Sequence, residues 1–134
     1  MGSSGLLPAP IRIVVIDRSA VFVAALRRFL DLEPGLEIVA HAFSSMEAIT
    51  LVAQLRPDLV LMDMSMAQFG GLDLIRLLRR GARPPLIIAI AFFREYESHA
   101  RESGADGFVS KAEVGSELVP LARALIAARR RVDR

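Results

Sequence analysis

Short apolar runs rich in β-branched residues alternate along the chain with longer stretches whose apolar positions recur at helical spacing. Ile11 to Ile16 is a near-continuous apolar run broken only by Arg12, the pattern of a strand covered on both faces. Phe22, Ala25, Leu26, Phe29 and Leu30 follow with the period of one helix face, and Glu33-Pro34-Gly35 stops them. Leu36 to Ala42 predicts a second strand, more polar and therefore expected at the sheet edge. Ser44 followed by Glu47 reads as a capping box that opens a helix to about Arg56, where Pro57 breaks it. Leu59 to Met62 predicts the third strand, ending on Asp63. Gly70-Gly71 closes the next loop, Leu72, Leu74, Ile75 and Leu78 mark a helix, and Pro84-Pro85 ends it. Leu86 to Ala91 is the most apolar strand. A shorter polar helix is expected from about Arg94 to Ser103. Gly104-Ala105-Asp106-Gly107 then turns into a fifth strand, Phe108 to Ser110. A last helix from about Glu113 carries Leu118, Leu121, Leu125 and Ile126 on one side.

Five strands alternating with five helices imply an α/β fold, because each parallel neighbour needs a crossover and the helices then cover both faces. Sites in such sheets lie beyond the carboxyl ends of the strands. That rule selects Asp17 and Arg18, Asp63, Ala89 to Phe92, and Lys111 as candidates.

Composition narrows the picture. A chain of 134 residues suits one domain with a real core. We assign residues 11–131 to it, 1–10 to a lead, and 132–134 to the end from which a linker would start. Met1-Gly2-Ser3-Ser4-Gly5 reads as an expression-vector scar. No apolar run approaches the ~20 residues needed to span a bilayer, so no membrane partner is expected. The absence of cysteine excludes disulfides and thiolate metal sites and fits a cytoplasmic location. Net charge is +2, and Arg129-Arg130-Arg131 ends the last helix, where cations complement the helix dipole. This domain alone is not read as a DNA binder. His41 and His99 fall on distant elements, and no Walker loop, dinucleotide loop or Ser-His-Asp set is apparent. The chain is therefore not read as an enzyme.

The candidate positions carry a resemblance. Asp58-Leu59-Val60-Leu61-Met62-Asp63-Met64-Ser65-Met66 resembles the phosphoacceptor strand and loop of bacterial response-regulator receiver domains. Gly71, eight residues after Asp63, matches a loop-closing glycine. Gly104-Ala105-Asp106-Gly107-Phe108-Val109-Ser110-Lys111 is similar to the family's GADGYLxK segment. The resemblance runs from about Ile11 to Ala127 and is nearest to the subclass that precedes a helix-turn-helix domain. It implies a flavodoxin-like, doubly wound five-stranded parallel sheet of order 2-1-3-4-5 with five helices. It also implies phosphoryl transfer from a histidine kinase onto Asp63, phosphoryl binding by Lys111, and Phe108 as switch aromatic. Self-association would use the fourth helix, fifth strand and fifth helix, where Phe93 and Tyr96 are expected to remain exposed. DNA would be reached only through an output domain outside this chain.

The pattern departs from the family at the site. Its acidic pair after the first strand reads Asp17-Arg18 here, so Asp17 is a remnant and Arg18 stands at the direct metal-ligand position. Counting back from Lys111 by the family spacing puts Ala89 where a hydroxyl is usual, and a shift by one puts Ile90 there. Ala67 and Ala112 replace prolines, on chemical grounds a minor change. With Asp17 and Asp63 set against Arg18 and Lys111, the site is near neutral without metal. We therefore expect no cofactor, or weak Mg²⁺ held by Asp17, Asp63 and the Ser65 backbone, with the Arg18 guanidinium near Asp63 or, as the alternative, turned into water. The leading reading is an atypical receiver. The alternatives are an ordinary receiver phosphorylated on Asp63 and, behind it, a flavodoxin-like ligand binder.

Overall fold

Strands apolar on both faces must be sandwiched between helices, and the architecture follows from that need. The computed structural model describes residues 9–69 and 71–133. Strands β1 (Ile11–Ile16), β2 (Leu36–Ala42), β3 (Leu59–Asp63), β4 (Leu86–Ala91) and β5 (Gly107–Ser110) form one sheet of order β2-β1-β3-β4-β5. Every neighbouring pair is parallel. Helices α1 (Ala20–Leu30), α2 (Ser45–Leu55), α3 (Gly71–Leu78) and α4 (Glu97–Ser103) supply the four crossovers, and α5 (Val114–Val132) follows the last strand. Met1 to Gly5 and Gly70 lie outside the described residues. Among the described residues no helix is long and apolar enough to cross a membrane.

β3 and β4 are buried at every position, whereas β2, at the edge, is mostly half-buried. One core layer joins Ile16, Met62, Ala89 and Phe108 to Leu74 and Ile75 of α3. The other joins Ile13, Leu61 and Ile88 to Leu26 of α1 and Leu118 and Ile126 of α5. On α5, Leu121 and Leu125 are only partly buried, and Val119 and Ala122 complete its inner face.

Local signals explain the element ends. The Ser44 hydroxyl accepts from the Glu47 N–H at 3.2 Å, as a capping box requires. The Glu47 carboxylate reaches the Phe43 N–H at 2.6 Å, one residue before the N-cap, so the box is offset by one. Arg56 closes α2 in the left-handed conformation at φ 48°, because Pro57 disfavours a right-handed residue before it. The polar segment expected from Arg94 to Ser103 divides into a 3-10 turn, Arg94–Tyr96, and α4.

Asp106 ties the amino-terminal ends of β4 and β5 to the rest of the fold. Its carboxylate accepts from the Ile87 N–H at 2.8 Å and the Arg79 guanidinium at 2.7 Å. Its own N–H donates to the Ile87 carbonyl at 2.8 Å. β4, β5 and the residue following α3 are thereby fixed together.

The sheet register sets up the site. Ile16 pairs with Met62, Met62 with Ala89, and Ala89 with Phe108. One row therefore crosses four strands, and Asp17 and Asp63 follow it as neighbours.

Gly107 permits α5 to lie close on β5: a β-carbon there would stand 2.9 Å from Leu121 Cδ2 and 3.4 Å from Leu125 Cδ1. Gly107→Ala is expected to lower stability by about 1–3 kcal/mol through overpacking. Urea denaturation checks this, and an unchanged midpoint would mean that Leu121 has room to swing aside.

Candidate functional site

Asp17 and Asp63 are the buried charged residues among those described, at 2% and 8% exposure. Burial of a carboxylate is costly unless it is paired and hydrogen-bonded, and both are. Asp17 Oδ1 accepts from the Ser19 N–H at 2.7 Å, in the turn that leads into α1. The carbonyl oxygen of Asp17 accepts from His41 Nε2 at 2.7 Å, so that ring nitrogen carries the proton. Asp63 Oδ1 accepts from the Ser65 N–H at 3.1 Å, and Oδ2 from the Ser65 hydroxyl at 2.8 Å.

Lys111 joins the two acids. Its Nζ lies 3.1 Å from Asp17 Oδ2 and 3.4 Å from Asp63 Oδ2, and its side chain is 7% exposed. Two carboxylates thus face one ammonium. The same nitrogen lies 4.4 Å from the centre of the Phe22 ring and 4.8 Å from that of Phe92. These residues, with Arg18 at the rim, line an open cleft of about 510 Å³.

The structure corrects one expectation. The sequence places the Arg18 guanidinium beside Asp63, but the ion-pair partner of Asp63 among the described residues is Lys111. Arg18 is exposed and takes part in an interaction of its own. The compact ammonium, carried on a stem from the end of β5, reaches the space between the two carboxylates.

Ala89 is fully buried in β4 beside Phe108, which is itself buried, so the methyl group at position 89 meets core and offers no hydroxyl. Ile90 stands opposite Asp63 in the ladder and also offers none. Ala67 belongs to the 3-10 segment Met64–Phe69, and Ala112 lines the cleft. His41 and His99 sit on β2 and α4, toward opposite edges of the sheet, and are not brought together.

Two residues escaped the sequence reading. In the sequence Phe22 reads only as a helix-face residue and Phe92 only as part of a strand end. Their nearness to Lys111 depends on the order of the strands, which no local pattern carries.

Mg²⁺ takes near-octahedral oxygen coordination, commonly from one or two carboxylates with waters completing the shell. Asp17 and Asp63 can supply two oxygens and the Ser65 backbone a third, but Lys111 already pairs with both acids. Among the described residues no three His, Cys, Asp or Glu side chains converge. The donors match the three-acid set implied by the resemblance only in part.

Beside the cleft, Phe93 and Tyr96 are exposed around the 3-10 turn that precedes α4. Arg94 between them pairs with Glu97, Glu113 and Glu117 at 3.5, 2.8 and 3.2 Å, linking this segment to α5. The hydrogen bond from Arg94 chiefly, and then one with Glu117, holds the Glu113 carboxyl below its ordinary range.

Fold and cleft together define a flavodoxin-like α/β domain with an acid-and-lysine site at the carboxyl edge of its sheet. The family model for the response regulator receiver domain matches residues 13–123, and the chain belongs to that family. It is 30% identical over 125 residues to the response regulator GacA of Pseudomonas viridiflava, covering 92% of this chain and 58% of that protein. It is 34% identical over 128 residues to a protein-glutamate methylesterase/protein-glutamine glutaminase of Myxococcus xanthus, covering 86% of this chain and 36% of that protein. Among solved structures, it is similar to a LuxR-family two-component response regulator from Aurantimonas sp. SI85-9A1. That match has a TM-score of 0.81 at 29% identity and covers 90% of this chain and 87% of that one. The shared part is the receiver, placed in relatives with different outputs.

Removing only the cation tests the pairing. Lys111→Met leaves two buried carboxylates without a counter-charge and is expected to cost about 3–5 kcal/mol at neutral pH. Chemical denaturation reads the loss. A cost below about 1 kcal/mol, the range of exposed pairs, would show that the pair is solvated.

Proposed function

We propose that the chain is an atypical receiver of a cytoplasmic two-component system, with Asp63 as a phosphoacceptor that reacts slowly and with little need of Mg²⁺. A carboxylate oxygen of Asp63 attacks phosphorus and the phosphorus–nitrogen bond of a phosphohistidine breaks. The bonding pair stays on the departing imidazole. Lys111, between Asp17 and Asp63, is the cation available to offset the charge on the transferred group. That single placement carries the reading. Ala89 contributes no donor, and Arg18 at the rim lowers the attraction for a divalent ion.

A histidine kinase is the donor this chemistry suits. The output is proposed to be transcriptional, through a DNA-binding region outside residues 11–131. Likeness to the LuxR-family regulator and to GacA supports that output, and the esterase of the Myxococcus relative is the other output that likeness suggests.

Intact-mass measurement after incubation with a small acyl phosphate tests the acceptor. The parent should gain one phosphoryl group slowly, at a rate little changed by a chelator, and Asp63→Asn should gain none. Arg18→Asp with Ala89→Thr should speed labelling about a hundredfold, the scale of one well-placed donor, and make it Mg²⁺-dependent. Tight Mg²⁺ binding and fast labelling by the parent would instead mark an ordinary receiver.

The exposed pair Phe93 and Tyr96 supports a second proposal: two copies associate through the face built from α4, β5 and α5. Tyr96→Ala should weaken self-association in sedimentation velocity runs. A sedimentation profile identical to the parent's at every concentration would exclude this face.

A further inference from the structure

We infer that Phe22 and Phe92 are positioning residues that hold the Lys111 ammonium between their ring faces, and so set the rate at which Asp63 accepts a phosphoryl group. The rate clause rests on the function proposed above; the placement does not. The nitrogen stands 4.4 Å from one ring centre and 4.8 Å from the other, within the range of cation–π attraction. Its ion-pair partners among the described residues are Asp17 and Asp63. Rings and carboxylates together leave the side chain 7% exposed.

Both rings are placed by the devices that place the charged groups. The Ser19 N–H binds the Asp17 carboxylate, and the Ser19 hydroxyl caps α1 by accepting from the Phe22 N–H at 3.1 Å. One turn thus sets the acid and the first ring. At the other side of the cleft, Ala91 pairs with Ser110, and the next residue on each strand is Phe92 and Lys111. One rung thus sets the second ring and the lysine. Phe92 is 72% exposed, so burial of its own surface explains little of its position. The neighbour that does explain it is the cation.

The consequence is chemical. A lysine on a four-carbon stem has many rotamers, and only some bring its charge to the acceptor. The rings remove most of the others. Where Ala89 leaves no hydroxyl to share the task, a pre-aimed ammonium stabilises the transferring group without reorganising first.

Lys111 is the only lysine in the chain, so lysine labelled with ¹³C at the ε-carbon gives one resonance to follow. In the folded parent its ε-methylene protons should lie upfield of free lysine, from the currents of the two rings. Phe92→Leu should move them back downfield, and Phe92→Trp should keep them upfield. With the acyl phosphate, Phe92→Leu should slow labelling of Asp63 about fivefold, the factor that about 1 kcal/mol of cation–π attraction represents. Phe92→Trp should restore the rate. Phe22→Leu is a poorer test, because Phe22 also packs against the core. An ε-resonance unmoved by Phe92→Leu overturns the placement. A moved resonance with an unchanged rate overturns the positioning role. A parent that takes no phosphoryl group defeats the acceptor reading and the rate clause with it, while the resonance still decides the placement.

Discussion

A lysine ammonium buried between two buried carboxylates is the constraint around which the carboxyl edge of this sheet is organised. Each of the three groups would be unfavourable there alone, and each is tolerable because of the others. Their supports come from different parts of the chain: the turn after β1, the residues after β3 and the end of β5. β1 and β3 must therefore be adjacent and in register before Asp17 and Asp63 can share a cation. β5, at the far side of β4, must deliver Lys111 across it. A slip of one residue in any of these strands would reverse the faces of its side chains and separate the charges.

The two core layers follow from the same sheet. Alternate residues of β1, β3 and β4 serve opposite layers, which is why their sequences read as near-continuous apolar runs. That continuity leaves few positions for polar chemistry inside the strands. The polar residues of the site are consequently at strand ends and in the loops, where backbone N–H groups such as those of Ser19 and Ser65 are free to hold carboxylates.

The fold was legible because its signals are local. Strand runs such as Leu36 to Ala42 and Leu86 to Ala91 match the observed strands residue for residue. Proline and glycine marked the stops. The positions of Asp17, Asp63 and Lys111 were legible too, because strand ends can be counted and the sheet order collects them. Contacts between side chains were not. Arg18 and Lys111 are both cations near Asp63 in the sequence reading, and only the path of each backbone decides which one reaches it. Phe22 and Phe92 carry no mark that separates a ring beside an ammonium from a ring in a core. The division of the Arg94 to Ser103 segment into a 3-10 turn and a helix also lies below what a polar, aperiodic stretch can specify.

Asp106 sharpens what a sequence signature can certify. Within the Gly104 to Lys111 segment it is among the residues that most resemble the family, yet its partners are the Ile87 backbone and Arg79, not the cleft. Its task is to fasten one edge of the scaffold. A descendant of this chain that had abandoned phosphotransfer altogether would still need it to keep β4 and β5 in register. The Gly104 to Gly107 turn is thus a reliable emblem of architecture and a poor witness to chemistry. A search that sorts active from silent receivers would do better to weigh positions 18, 89 and 111 than the conspicuous letters beside them.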